Sequence, residues 1–345
     1  MKILLFLGSS LLVAGPAMAA DSLPAGPGPD SSITVLATGL ETPVDASGQP
    51  VAIVGADELL SLQGPDLSRA LERLPGVVIS RNGGLGSFTG LRVRGADAEQ
   101  LLVLVDGVRT ADVASPGGGY DLGNLLAGGI GKVELLRGSN SVVWGSQAIG
   151  GVLAVTTREL SGAELAAEGG SHGSADVEGT AGFSGSRAAL TLNAGYFRTD
   201  SVSAAAVGTE PDGFRQWRIG GKGRIELASG LTATLVARHT DARLDIDGFP
   251  PPNFTFADTP EYQTTKESSG RAGLHYVSRG LDLDGGYSLS DIRRAYFDPT
   301  FGPAPNYRTF GRSQRVDLTG KAAIARGLSL VFGADSEWTR FSTTF

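Results

Sequence analysis

Three histidines, His172, His239 and His275, and no cysteine are what this 345-residue chain offers for nucleophilic or transition-metal chemistry. No Ser/His/Asp order, paired-carboxylate motif or metal triad stands out around them, which argues against an enzyme. The lack of cysteine also removes a disulfide framework and a thiolate metal site. The glycine-rich stretch from Asn82 to Gly86 is followed by neither a Walker lysine nor a Rossmann acid, so it does not read as a nucleotide loop. A formal net charge of −7 with no Lys/Arg block argues against a nucleic-acid partner. One short β-prone run is placed for a different kind of chemistry. Ser32, Ile33, Thr34, Val35, Leu36 and Ala37 follow a Pro/Gly/Asp-rich tether. An extended peptide on a tether suits strand addition to the sheet edge of a partner, the alternative being an ordinary first strand of the next domain.

The elements that position these residues fall into four zones. Residues 1–20 read as a secretory signal: Lys2, an apolar core from Ile3 to Val13, and the small-x-small pattern Ala17-Met18-Ala19. Residues 21–39 are the linker and the β-prone run. Residues 40–157 predict a small α+β domain. A helix is expected over 65–74, capped by Asp66, with Leu67, Ala70, Leu71 and Leu74 on one face and Pro75-Gly76 as its stop. Strands are expected at 77–79, 91–94, 101–105, from 108 onward, 133–136 and 152–157. Asp106-Gly107 is a two-residue hairpin signal.

From 158 to 345 the pattern changes to period two. Ala188, Leu190, Leu192, Ala194 and Tyr196 alternate with Ala189, Thr191, Asn193 and Gly195. Leu231 to Arg238 and Leu281 to Leu289 repeat the pattern. Short connections at 184–186, 228–230, 278–280 and 326–327 alternate with long ones near 200–213, 246–263 and 296–308, as in outer-membrane barrels. Lipid cannot satisfy a sheet edge, so spanning strands must close into a ring, apolar side outward. Tyr196, Tyr276, Tyr287 and Trp338 are candidates for the aromatic girdles. Nine strands are counted, the last from Leu328 to Phe341. Nine leave open edges, so the expected fold is an antiparallel outer-membrane β-barrel truncated after about nine strands, behind an N-terminal α+β domain. Phe345 resembles the aromatic ending of such proteins, but the direction of the ninth strand contradicts that reading.

Residues 71–79 (LERLPGVVI), 91–95 (LRVRG), 101–108 (LLVLVDGV), 133–138 (VELLRG) and 143–155 (VWGSQAIGGVLAV) resemble, in order, the plug elements of TonB-dependent outer-membrane receptors. Trp144 replaces the usual Tyr and Ala154 the usual Asn. The resemblance implies a plug at 40–157 and a TonB box at residues 32–37. It implies TonB, with ExbB and ExbD, as the energy-supplying partner, multi-pass placement in outer-membrane lipid, and active import of a metal chelate without a required cofactor. Ligand-facing candidates are Asn82, Gly83, Gly84, Leu85 and Ser87 in one plug loop, and Ser115, Gly117, Gly118 and Tyr120 in another; simple turns are the alternative. Arg92, Arg94, Glu134 and Arg137 would pair with polar barrel walls or simply be solvated. The nearest branch is that of the cobalamin receptors, so a cobalamin-like ligand is expected first and a ferric siderophore second. In that branch early outer loops bind calcium through clustered acids. The matching positions are Glu210, Asp212, Asp247 and Asp258, with solvated loop acids as the other reading.

Overall fold

The computed structural model describes residues 33–34, 42–43, 50–115, 117–206 and 208–345. The signal at 1–20 and the linker at 21–31 lie outside the described residues. Two short strands open the chain, β1 (Ile33–Thr34) and β2 (Thr42–Pro43), paired antiparallel.

The plug is built on β3 (Val51–Gly55), β4 (Val77–Arg81), β5 (Thr89–Val93), β6 (Leu101–Val105), β7 (Val108–Arg109), β8 (Ile130–Arg137) and β9 (Gly151–Thr157). Its main sheet has the order β3-β8-β9-β6-β7, and β4 and β5 form a separate ribbon. The β6 and β9 strands run parallel, and both are buried along most of their length. That explains their continuous apolar runs, since strands covered on both faces have no polar side to alternate with. The turn between β6 and β7 is the expected hairpin. Asp106 (φ 48°) and Gly107 (φ 79°) both take the left-handed conformation that its two central positions demand. Asp106 also accepts from the backbone N–H of Thr157 at 2.9 Å, tying the turn to the end of β9.

Three short helices complete the plug: α1 (Ala56–Ser61), α2 (Ser68–Leu71) and α3 (Ser141–Trp144). The helix expected over 65–74 is only four residues long. Asp66 does accept from Ser68 N–H, at 3.1 Å, but it is also held by Arg81 at 2.9 Å. Leu67, Ala70 and Leu71 still enter the core, with Val54, Leu91, Val103, Val133, Leu135 and Leu153. The strand β3 and helix α1 were not expected from sequence.

The remaining strands are β10 (Gly162–Gly169), β11 (Ala175–Ser184), β12 (Ala188–Thr199), β13 (Phe214–Ala228), β14 (Leu231–Gly248), β15 (Ala257–Ser278), β16 (Leu281–Phe297), β17 (Tyr307–Ala325) and β18 (Leu328–Thr344). They form one antiparallel nine-stranded sheet in sequence order, the outer-membrane barrel architecture expected. Turns at 185–187, 229–230, 279–280 and 326–327 lie at one end, and connections at 170–174, 200–213, 249–256 and 298–306 at the other. The period-two reading holds. Leu190, Leu192, Tyr196, Trp217, Leu274, Tyr287, Val316 and Trp338 are exposed on one face, while Thr191, Gln216, Thr240, Thr265, Ser288 and Ser290 are buried on the other. The polar face is therefore the one packed against the plug. The four aromatic residues Tyr196, Tyr276, Tyr287 and Trp338 all lie on the exposed face. Among the described residues no helix is long and apolar enough to cross a membrane.

Candidate functional site

The plug meets the concave side of the sheet through a small set of polar clasps. Asp112, in the loop after β7, receives Arg294 of β16 at 2.9 Å, with both side chains at most 8% exposed. The same carboxylate accepts from Ala114 N–H at 3.0 Å, so it shapes its own loop while holding the wall. Tyr120 is buried and its hydroxyl lies 3.5 Å from Oε2 of Glu267 on β15. Gln216 of β13 donates to the carbonyl of Asn124 at 2.9 Å. Arg109 donates to the carbonyl of Trp144 at 2.7 Å and faces Glu337 of β18 at 3.8 Å. Arg218 is clamped by Glu178 and by Asp176 (3.4 Å) of β11. A Cβ on Gly128 would sit 2.2 Å from its guanidinium, so the plug can approach there only through glycine. One apolar patch seals the seam: Leu126 of the plug against Phe197, Phe214, Ala242 and Leu244 of the wall, with Leu85 packed on it.

Both candidate ligand loops sit at the end of the wall that carries the long connections. In loop 82–89, Gly86 (φ 87°) lies directly under Phe214, whose ring would be 2.1 Å from an added Cβ. Gly83 and Gly84 abut Ala204 and Ser201 of the 200–213 connection. Asn82 is exposed and Gly83, Gly84 and Leu85 are half-buried, whereas Ser87 is buried. In the second loop Gly117 is exposed, Ser115 and Gly118 are half-buried, and Tyr120 is buried. Ser87 and Tyr120 thus face protein rather than solvent in this structure. Phe88, 44% exposed beside Asn82, is the large apolar side chain the sequence reading passed over. Its neighbourhood of glycines is the signal that hid it, because it reads as a turn.

Burial also sets the electrostatics beneath these loops. Asp121 accepts from the backbone N–H groups of Thr89 and Gly123, both at 2.9 Å. Its burial outweighs those two bonds and pushes its carboxyl up to about 6. Burial pushes the Tyr120 hydroxyl well above its ordinary value, with Glu267 reinforcing it.

Three of the four loop acids accept from the backbone of the 200–213 connection, which itself carries the fourth, Glu210. Asp212 accepts from Ala204 N–H at 2.6 Å, Asp247 from Ala205 N–H at 2.7 Å, and Asp258 from Thr209 and Glu210 N–H at 2.7 and 2.9 Å. Ser203 Oγ bridges Asp247 and Asp258 at 3.2 and 3.0 Å. Glu210 contributes its N–H to this arrangement. Burial raises Asp212 to about 6, with Asp247 and Glu210 adding to the effect and the Ala204 N–H opposing it. Among the described residues no three His, Cys, Asp or Glu side chains are placed to hold a metal ion. Asp212 Oδ2, Asp247 Oδ2 and both oxygens of Asp258 are taken up by these hydrogen bonds, and Asp247 Oδ1 is buried with no hydrogen-bond partner among the described residues.

Of the four charges expected to pair with the barrel wall or be solvated, three have side-chain partners within the plug. Arg92 is 3.5 Å from Asp97, Glu134 is fully buried beside Lys132 at 3.1 Å, and Arg137 donates to the carbonyl of Pro75 at 3.1 Å. Arg94 takes a left-handed φ of 53° and donates its N–H to the carbonyl of Gly76 at 2.7 Å. Of the residues expected to form a TonB box, Ser32, Val35, Leu36 and Ala37 lie outside the described residues. Ile33 and Thr34 are the strand β1, opposite Pro43 and Thr42.

A family model described as TonB-dependent Receptor Plug Domain matches residues 43–152. The fold is similar to that of the siderophore receptor PirA from Acinetobacter baumannii (TM-score 0.64, 16% identity, 84% of this chain and 48% of that one). It is likewise similar to the ferric-catecholate import receptor Fiu from E. coli K12 (0.66, 15%, 87% and 50%). A mutant of the ferric enterobactin receptor PfeA from Pseudomonas aeruginosa also matches (0.67, 17%, 89% and 50%). The chain spans about half the length of these receptors. The family-model match runs from β2 into β9, so this part of the chain is a TonB-dependent receptor plug domain, and the wall strands that follow share the fold of these receptors.

Proposed function

We propose that this protein serves TonB-driven import of a ferric siderophore across a bacterial outer membrane. The observation that carries the reading is the seam. A compact domain is clasped to the polar face of a β-wall through Asp112–Arg294, while the opposite face is apolar along its strands. Such a wall suits lipid outside and a stopper inside. A stopper held by a few ion pairs and one apolar patch can be displaced by pulling from below. TonB, powered by ExbB and ExbD, would pull on residues 32–37 by adding a strand to them. No chemical step on the ligand is needed.

The cobalamin reading gives way to the ferric one. Of the acids that the cobalamin resemblance implies as calcium ligands, Asp212, Asp247 and Asp258 accept from the backbone of the 200–213 connection. The solved receptors of this fold named above are siderophore or ferric-catecholate receptors. The exposed residues of the plug loops, Asn82, Phe88 and Gly117, with the half-buried Gly83, Gly84 and Ser115 beside them, are where the chelate would rest.

The test is growth of an iron-limited strain without its own catecholate receptors, carrying this gene, on ferric enterobactin. Rescue that disappears when the tonB gene is deleted is expected. Rescue on cobalamin under cobalamin limitation, without rescue on ferric chelates, would return the ligand to the corrinoid class. Uptake indifferent to TonB would end the transport reading.

A further inference from the structure

The plug encloses three acids among the described residues, and one of them is left without support. Asp112 accepts from Arg294 and Ala114, and Asp121 from Thr89 and Gly123. Glu134, at 0% exposure the most enclosed of the three, has no hydrogen-bond partner for either carboxylate oxygen among the described residues. Lys132 Nζ lies 3.1 Å from it, an ion pair without hydrogen-bonding geometry. The register explains this. Glu134 sits on β8 between Ile53 of β3 and Ala154 of β9. Directly opposed residues of neighbouring strands share a face and lie within contact of one another. Both neighbours are apolar, and Ala154 stands where the plug elements that this segment resembles carry Asn. The next β8 residue on that face, Leu136, is buried with Val152 and Leu102. An amide side chain at 154 offers the carboxylate a donor; a methyl group offers none.

A buried ion pair is a net gain only where further hydrogen bonds satisfy its remaining lone pairs. Here those bonds are missing, so the pair weighs against the packed state. Its position decides which packing it opposes. The β3 strand is the edge of the main plug sheet and is joined to it through five residues opposite β8. When β3 lifts away, Ile53 leaves with it and water reaches the carboxylate. The pairings of β9 with β8 and with β6 stay in place. One movement therefore relieves the penalty: the parting of β3 from β8.

We propose that the Lys132–Glu134 pair is a release latch, an under-bonded ion pair that lowers the load at which β3 leaves the plug core. The proposal deepens the import reading given above and rests on it.

The experiment compares the wild type with two variants. Lys132→Met with Glu134→Leu removes both charges at similar volume. Ala154→Asn keeps them and supplies the missing donor. Amide exchange over Val51–Gly55 is followed in the purified protein in detergent, with Leu101–Val105 as the reference strand. Accumulation of ferric enterobactin by energised cells is followed beside surface binding in the cold. Each variant is expected to slow β3 exchange by about tenfold relative to β6. Each should also lower accumulation several-fold while surface binding stays at the wild-type level. Exchange of β3 that is unchanged or faster in the double variant would overturn the proposal. So would failure of the double variant to fold, since the pair would then be holding the strand in place. Slower exchange with undiminished accumulation would overturn it as well, by showing that transport does not wait on β3. Those three results leave the import reading standing, whereas wild-type cells that accumulate no ferric chelate remove that reading and the latch together.

Discussion

A single buried ion pair and a single buried acid carry much of the chemistry of the seam. Removing Asp112 would leave the Arg294 guanidinium enclosed without its carboxylate, and such an orphaned charge costs about 3–5 kcal/mol. Asp112→Ala is therefore expected to lower the thermal unfolding midpoint and to open residues 110–120 to protease. Pairing Asp112→Leu with Arg294→Met should restore most of the loss, because no charge is then left unpaired. A midpoint unchanged by Asp112→Ala would mean the clasp contributes nothing to holding the plug. Asp121 acts in the opposite sense. Its folded value, about 6, stands above the ordinary 3.8, so the folded state binds its proton more tightly than the unfolded chain. That contribution is fully present below about pH 4 and is lost as pH rises through about 6. It amounts to no more than about 3 kcal/mol. Asp121→Asn, which keeps an acceptor for Thr89 and Gly123, should flatten the dependence of the urea midpoint on pH across that window. A slope as steep as in the wild type would assign it to another group.

At the scale of elements, glycines set how closely plug and wall approach. Gly86 combines a left-handed φ of 87° with the Phe214 ring pressed on its Cα. Gly86→Ala should lift loop 82–89 from the wall, seen as faster amide exchange over those residues. Adding Phe214→Ala removes the collision but leaves the backbone strain, so recovery should be partial. Full recovery would show that only the ring mattered. These elements also show what was legible beforehand. The wall strands announce themselves because one face is apolar and exposed and the other is polar and packed against the plug, so their sequence must alternate. The Asp106-Gly107 turn is legible because few other residues accept φ > 0 at both positions. The helix expected over 65–74 is shorter because its apolar spacing continues past Leu71, where the backbone tightens into a three-residue turn from Leu74 N–H to the Leu71 carbonyl before Pro75-Gly76. The β3 strand is short and pairs only with β8, so it has no alternation of its own to read. Burial of Tyr120 and Ser87 was invisible because it depends on β13 to β17, far away in sequence. The use of the loop acids as backbone acceptors was hidden for the same reason: spacing reveals a carboxylate but not the N–H it will meet.

For the whole molecule, the question is how a pull at one end reaches the seam. Ile33 and Thr34 occupy a two-residue strand against Thr42–Pro43, just ahead of β3, which is paired to β8 in the main plug sheet. In the proposed transport, force on residues 32–37 would be applied next to β3 and then to β8. The β8 strand carries fully buried Val133, Glu134 and Leu135 at the centre of the plug. Two backbone-paired residues offer little resistance beside a five-residue antiparallel pairing, so β1 and β2 should separate first and leave the core intact until β3 is loaded. Deleting residues 32–37 removes the handle without touching the core or the outer loops. Cells carrying that deletion should bind a labelled ferric catecholate at their surface as the wild type does, in the cold, and fail to accumulate it when warmed and energised. A disulfide joining β3 to β8, through Ala52→Cys and Leu135→Cys at opposed positions, should stop accumulation while leaving surface binding, and a reductant should restore it. Accumulation by the oxidised cross-linked protein would show that the plug leaves, or opens, by a route that never parts these two strands.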